Sequence, residues 1–199
     1  MVAKKPPLSP DEILMAEFEY AANSAFQANE DRSKAASFFL VSVGSLVAAI
    51  FGTQLQGFEG KVNFLLAGLF VALTILGWMT VRQLARLREA WRESARTMNR
   101  IKDYYFEHFE DIQLREAFRW RTDTIPNKFK SDSISYYTAI EVSLLCGLTF
   151  GAGTYFLLAG FSASDLLIWI LTPLMGGLAI WFQLGYYKHI LTKRKKENT

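Results

Sequence analysis

Glu141 is the one acidic residue inside the long apolar segments of this sequence. A carboxylate within a membrane can bind a proton or a cation, so it is a candidate residue for ion or proton transfer. Glu141 also lies about one turn after Tyr136 and Tyr137, near the expected start of a helix, where water and the helix dipole stabilise its charge. This position favours an interfacial carboxylate without a transport role over a transport site.

A second candidate is a polar face in the last apolar segment. Thr172, Gly176 and Gln183 share one side of the expected helix, and Pro173 could kink or break that helix. The face could form the wall of a water-filled path, or it could be a seam where helices pack. Packing is favoured, because small residues recur at four-residue spacing in the other apolar segments as well. These small residues are Gly44, Ala48 and Gly52, then Gly68 and Ala72, then Ser143, Gly147 and Gly151.

Arginines dominate one side of the segment that follows the second apolar run. Neighbouring guanidinium groups repel each other, so an anionic group should lie against them. The acidic N-terminal segment of this chain is the favoured candidate, and lipid phosphates come next, near the membrane. A nucleotide or an acidic partner is a further alternative, whereas nucleic acid is not expected, because the arginines are not interleaved with a series of aromatic platforms for base stacking. The arginines are Arg82, Arg86, Arg88, Arg92, Arg96 and Arg100.

The remaining reactive residue types form no recognisable site. Cys146 lies within an apolar run, and His108 and His189 have no neighbouring ligand with zinc spacing. No Ser-His-Asp, Cys-His or paired-carboxylate set shares one expected helix face, and no glycine-rich phosphate loop is present. We therefore predict no catalytic residue, no metal and no cofactor, and we expect a protein that is not an enzyme.

Four apolar runs must position these residues. They cover residues 35–52, 62–81, 138–161 and 166–187, and hydrophobic residues make up 51% of the chain. Each run is close to the roughly 20 residues that cross a bilayer as a helix. Because the links at 53–61 and 162–165 are short, the runs should form two antiparallel hairpins. The sequence thus predicts an all-α, multi-pass membrane protein with four transmembrane helices.

Basic residues orient these helices. Lys and Arg cluster before the first and third runs and after the second and fourth, whereas the opposite side carries only Lys61. The positive-inside rule then places both termini in the cytosol. We expect a bacterial inner membrane, since organelle-targeting features are absent. The expected organisation is an acidic helix at 1–34, a hairpin at 35–81, a basic segment at 82–137, a hairpin at 138–187 and a basic tail at 188–199.

Two helices should extend outside the membrane. Ser9, Pro10 and Glu12 form a helix start signal with a capping box, and Leu14, Phe18, Ala22 and Phe26 continue it as an apolar stripe. A second helix is expected from about residue 82 to residue 118. Its coiled-coil-like seam repeats every seven residues and predicts helix packing or self-association. The seam consists of Leu84, Trp91, Met98, Tyr105 and Ile112, with Leu87 and Ile101 at the intermediate positions.

Residues 10–118 resemble the bacterial SLATT-type membrane effectors. The resemblance rests on a helix that leads into a two-span hairpin, with Tyr20, Arg32 and the run from Ala35, and on a polar exit helix. That exit helix contains the segment Arg88-Glu89-Ala90-Trp91-Arg92, followed by Ala95 and Tyr105. The second hairpin has no counterpart in the two-span plan of that family. The resemblance implies an oligomer that permeabilises or conducts across a membrane.

Three functions are compatible with this layout. The first is a homo-oligomeric channel or pore-type effector that assembles through its helices. The second is a membrane-embedded scaffold or regulatory subunit that docks a cytosolic protein on its long helices. The third is a small secondary transporter, suggested by the two hairpins and by the expected break in the fourth helix. In every case the partners include membrane lipids.

Overall fold

The computed structural model describes residues 9–52, 61–109, 121–122 and 125–193, and within these ranges the chain is helical with no strand. Helix α1 covers Pro10–Gly52, α2 covers Lys61–Phe109, α3 covers Ile134–Gly160 and α4 covers Asp165–Thr192. All four helices are long and apolar enough to cross a membrane. The predicted all-α fold with four membrane-spanning helices is confirmed.

Helices α1 and α2 are much longer than a membrane is thick. They contain 43 and 49 residues, whereas roughly 20 residues span the hydrocarbon. Each therefore continues without a break from its span into a segment outside the membrane. The capping box at the start of α1 is confirmed, because the Ser9 amide donates to Glu12 Oε2 at 2.9 Å and the Glu12 amide donates to Ser9 Oγ at 3.2 Å. Ile112, the expected helix end at residue 118, and residues 194–199 of the basic tail lie outside the described residues.

The chain divides into two compact units. The extramembrane unit takes its residues from Met1–Asp31 and Leu87–Lys128, and the membrane unit takes them from Arg32–Arg86 and Phe129–Thr199. The two long helices contribute to both units.

In the membrane unit, α3 and α4 pack through glycine. A Cβ built on Gly176 would lie 2.9 Å from the carbonyl oxygen of Gly147, and one on Gly151 would lie 3.2 Å from the carbonyl oxygen of Thr172. The helix backbones therefore touch over about one turn, as small residues permit in membranes. Helix α4 also continues through Pro173 without the predicted break.

Helices α1 and α2 complete the core of the membrane unit. Gly77 of α2 lies against the Phe39 ring of α1 and the Cys146 side chain of α3. Phe70 of α2 stacks on Phe156 of α3, with ring centroids 5.6 Å apart. The core therefore receives side chains from all four helices.

In the extramembrane unit, the two helical segments lie side by side and antiparallel, as predicted. The Tyr105 hydroxyl is 3.5 Å from Asp11 Oδ1, and Lys102 Nζ lies 5.9 Å from the centre of the Phe18 ring. The predicted apolar stripe is wrong at its end, because Phe26 is 70% exposed. Residues four apart drift around a helix of 3.6 residues per turn, so the buried face continues instead through small residues. These are Ala21, Ala25 and Ala28.

Candidate functional site

A hydrogen-bonded group ties three helices together at the basic end of the membrane unit. Arg32 Nη1 of α1 donates to Ser135 Oγ of α3, and the Tyr187 hydroxyl of α4 donates to the Ser135 carbonyl at 3.3 Å. Ser135 and Tyr187 are 2% and 1% exposed. Partial burial lowers the pKa of Arg32, and Tyr187 acts in the opposite direction. The group holds α1, α3 and α4 together at this end of the membrane unit.

Removing the Tyr187 hydroxyl should loosen this end of the bundle. Tyr187→Phe leaves the buried Ser135 carbonyl without this donor, and we expect a loss of about 1 kcal/mol in unfolding free energy. Tyr186→Phe is the matched control, since the Tyr186 ring keeps its stacking on Trp78, at 4.9 Å between centroids. Unfolding in detergent, followed by size-exclusion chromatography after heating, measures both. An equal effect of the two variants would contradict a specific role for the Tyr187 hydroxyl.

A second polar cluster lies inside the membrane unit. Gln183 Nε2 of α4 donates to the Cys146 sulfur of α3, and that thiol is 3.4 Å from the Thr74 carbonyl of α2. The Thr74 and Thr149 hydroxyl oxygens are 3.3 Å apart. These side chains link α2, α3 and α4 through polar contacts in an otherwise apolar core.

Three buried side-chain atoms of the membrane unit have no hydrogen-bonding partner in the described part of the chain. They are Oγ1 of the half-buried Thr172, Oγ of Ser143 and Oε1 of Gln183, and the last two residues are 0% and 1% exposed. A buried polar atom that lacks a partner costs roughly 1–3 kcal/mol, so such atoms normally meet water or a ligand. Gln183 is therefore the strongest candidate for a binding residue in the membrane unit.

Gln183 also lines a cavity between α2, α3 and α4. The cavity has a volume of about 340 Å³ and is walled mainly by aromatic and aliphatic side chains. Thr74 and Gln183 are its polar residues among those described. Its lining is completed by Trp78, Phe150, Leu178, Ala179, Trp181 and Phe182.

The other residues of the predicted polar face pack within the chain. Gly176 is buried against Gly147, and Thr172 lies over Gly151. Both residues also line a cavity of about 560 Å³ along α3 and α4, so this face combines helix packing with an open groove. Glu141 lies exposed on the outer side of α3, away from the buried polar cluster.

The predicted heptad seam divides between buried and half-buried positions. Leu84 and Ile101 are buried within the single chain, whereas Trp91, Met98 and Tyr105 are half-buried. Partial desolvation raises the pKa of Tyr105, and the Asp11 carboxylate raises it further. Leu84 and Ile101 thus pack inside the chain, and the half-buried positions keep part of their surface exposed.

The arginines do not act as one uniform stripe. Arg88 is 8% exposed and lies over the Trp91 ring, 4.6 Å from its centre. Arg92 Nε donates to the Pro126 carbonyl at 3.2 Å, which holds the linker against α2. Arg96 is half-buried, and the pairing of these arginines with the acidic helix stays a prediction. Arg82, Arg86 and Arg100 are exposed, and their contact with lipid phosphates or a partner stays a prediction.

Comparison with known proteins adds no relative. The chain matches no protein-family model, no curated protein and no solved structure. Within the described ranges, no three His, Cys, Asp or Glu side chains lie close enough to hold a metal ion.

The sequence did not predict the hydrogen-bonded group of Arg32, Ser135 and Tyr187, nor the contact of Cys146 with Gln183. Only the polar identity of these residues near or within apolar runs could have indicated them.

Proposed function

We propose that this protein is a non-enzymatic subunit of a homo-oligomeric membrane channel or pore-type effector. The observation that carries the proposal is the uncovered outer face of α1. Gly44, Ala48 and Gly52 are exposed on it, and a Cβ at Gly44 or Gly52 would meet no atom within 4 Å. Such a face allows two helices to approach closely in a membrane.

Exposed small residues recur at every turn on the outer face of α1, whereas on α4 the exposed Gly177 and Gly185 are separated by Trp181. This difference supports a protein partner for α1 rather than lipid. The exposed side of α4 carries large residues such as Trp169, Leu174 and Trp181, with exposures of 80%, 52% and 74%. These side chains suit contact with lipid tails. A groove of small residues gains most from another helix, whose backbone can enter it. A second copy of α1 supplies the same small residues and so fits the groove symmetrically.

The outer part of α1 points to the same conclusion. Ile13, Met15, Tyr20 and Phe26 are exposed by 54%, 74%, 68% and 70% in the segment that precedes the span. Lipid tails do not cover side chains that stand outside the membrane, so these residues favour a protein contact. One continuous helix would thus join neighbouring subunits both within and outside the bilayer.

The conducting path lies between subunits in this proposal. In this proposal the Thr172 and Gly176 face, which packs against Gly147 and Gly151 of α3, is not part of that path. We further propose that both termini are cytosolic and that the protein resides in a bacterial inner membrane, on the basis of the flanking Lys and Arg residues.

Purified protein in planar lipid bilayers tests this function. We expect stepwise ionic currents, and we expect the double variant Gly44→Ile with Ala48→Ile to abolish them. Gly185→Ile serves as the control, because Gly185 of α4 also faces open space and should retain the currents. Intact oligomers that give no current in bilayers would contradict the channel and favour the scaffold, whose docking surface would be the exposed residues of the first helical segment.

A further inference from the structure

The cavity between α2, α3 and α4 has the composition of a site for a lipophilic small molecule. Its volume of about 340 Å³ lies within the range of small-molecule sites, and its walls are largely aromatic. Trp78 stacks on Phe182 at 5.2 Å and on Tyr186 at 4.9 Å, so one wall is a preformed aromatic surface. The lining residues belong to membrane-spanning helices, so a ligand would enter from the bilayer.

Gln183 gives this cavity a specific chemical requirement. Its amide nitrogen is engaged with Cys146, while its Oε1 atom has no donor among the described residues. An amide oxygen accepts hydrogen bonds, and a hydrocarbon tail cannot provide one. The residue is 1% exposed, so bulk water does not compensate for the missing donor. A matching ligand therefore carries one hydrogen-bond donor on an otherwise apolar group.

We propose that this cavity binds a small lipophilic molecule with a hydroxyl group, of the alkylphenol class. The ring lies among Trp78, Phe150 and Phe182, and the hydroxyl donates to Gln183 Oε1. A phenol suits these walls because aromatic rings stack or meet edge to face with favourable energy. The single donor matches the single unpartnered acceptor of Gln183. This site is separate from the α1 face and does not depend on the proposed channel function.

A photoreactive diazirine derivative of an alkylphenol tests the site with the full-length protein in nanodiscs. Illumination should label residues of the cavity, with adducts mapped by mass spectrometry. Two competitors separate the role of the hydroxyl from that of the apolar body. The first is diisopropylphenol with both alkyl groups ortho to the hydroxyl, and the second is meta-diisopropylbenzene, which has the same carbon skeleton without the hydroxyl.

Diisopropylphenol should suppress labelling by the diazirine probe roughly threefold to tenfold more strongly than meta-diisopropylbenzene does. This is the difference in affinity expected of one hydrogen bond. Gln183→Met keeps the length and apolar volume of the side chain but removes the acceptor, so both competitors should then act equally. Ala179→Phe should fill the cavity and suppress labelling, and monodisperse elution identifies variants that remain folded. Equal competition in the unchanged protein would reveal a groove for lipid tails and overturn the proposal. Labelling elsewhere, or none in the cavity, would overturn it too.

Discussion

Gly176→Leu is expected to disrupt the membrane unit, whereas Gly177→Leu, one residue later on the same helix, is expected to leave it folded. A Cβ at Gly176 would lie 2.9 Å from the backbone oxygen of Gly147, and one at Gly177 would meet nothing within 4 Å. The obstacle at Gly176 is backbone, which cannot rotate away. Overpacking typically costs 1–3 kcal/mol, and the forced separation of two helices should reach at least the upper end, about 3 kcal/mol.

Heating followed by size-exclusion chromatography in detergent measures this difference. We expect the Gly176→Leu protein to aggregate at a much lower temperature than the unchanged protein, or to be recovered in very low yield. Gly147→Leu should have a similar effect, because a Cβ there would lie 2.8 Å from the Gly176 carbonyl oxygen. Equal thermal stability of the Gly176 and Gly177 variants would show that α3 and α4 do not pack through these glycines.

The second large effect concerns assembly. Gly44→Ile combined with Ala48→Ile should convert the proposed oligomer largely to monomer without unfolding the subunit, because both residues lie on the uncovered face of α1. The added side chains would hold two α1 backbones apart and remove their close contact. A loss of only about 1.4 kcal/mol per interface weakens association tenfold, and several interfaces would be lost together. Native mass spectrometry from nanodiscs should report this change in subunit number.

Two comparisons make the assembly result interpretable. Gly185→Ile adds the same side chain to another open position and should preserve the subunit number. Trp91→Asp with Met98→Asp probes the half-buried part of the heptad seam, which is the alternative surface for self-association. If only the Trp91→Asp and Met98→Asp variant becomes monomeric, the contact between subunits lies on α2 and not on the span of α1.

The spans and helix starts could be predicted from the sequence because they depend on local properties. Apolar runs of near-membrane length give the four spans, and Ser9 with Glu12 contains the whole capping box within four residues. Ser133 likewise caps α3, since its Oγ accepts from the Tyr136 amide at 3.3 Å. Such features involve neighbours along the chain, which the sequence displays directly.

Contacts between helices could not be predicted in the same way. Gln183 was singled out as polar, but its approach to Cys146 depends on the rotation of α3 and α4 about their axes. That rotation is set by the fit of Gly147 against Gly176, which no single-helix pattern specifies. Arg88 and Arg92 likewise shared a helix side with the other arginines, yet one is buried beside Trp91 and the other binds the linker. Their roles depend on the partner segment.

Single-particle imaging of the protein in lipid nanodiscs tests the central proposal most directly. The proposal predicts a closed ring of identical subunits, with α1 helices in contact through Gly44 and Ala48 and a continuous opening along the axis. A monomer, or a compact dimer without an axial opening, would contradict the channel and direct the search to a protein that docks on the exposed residues of the first helical segment.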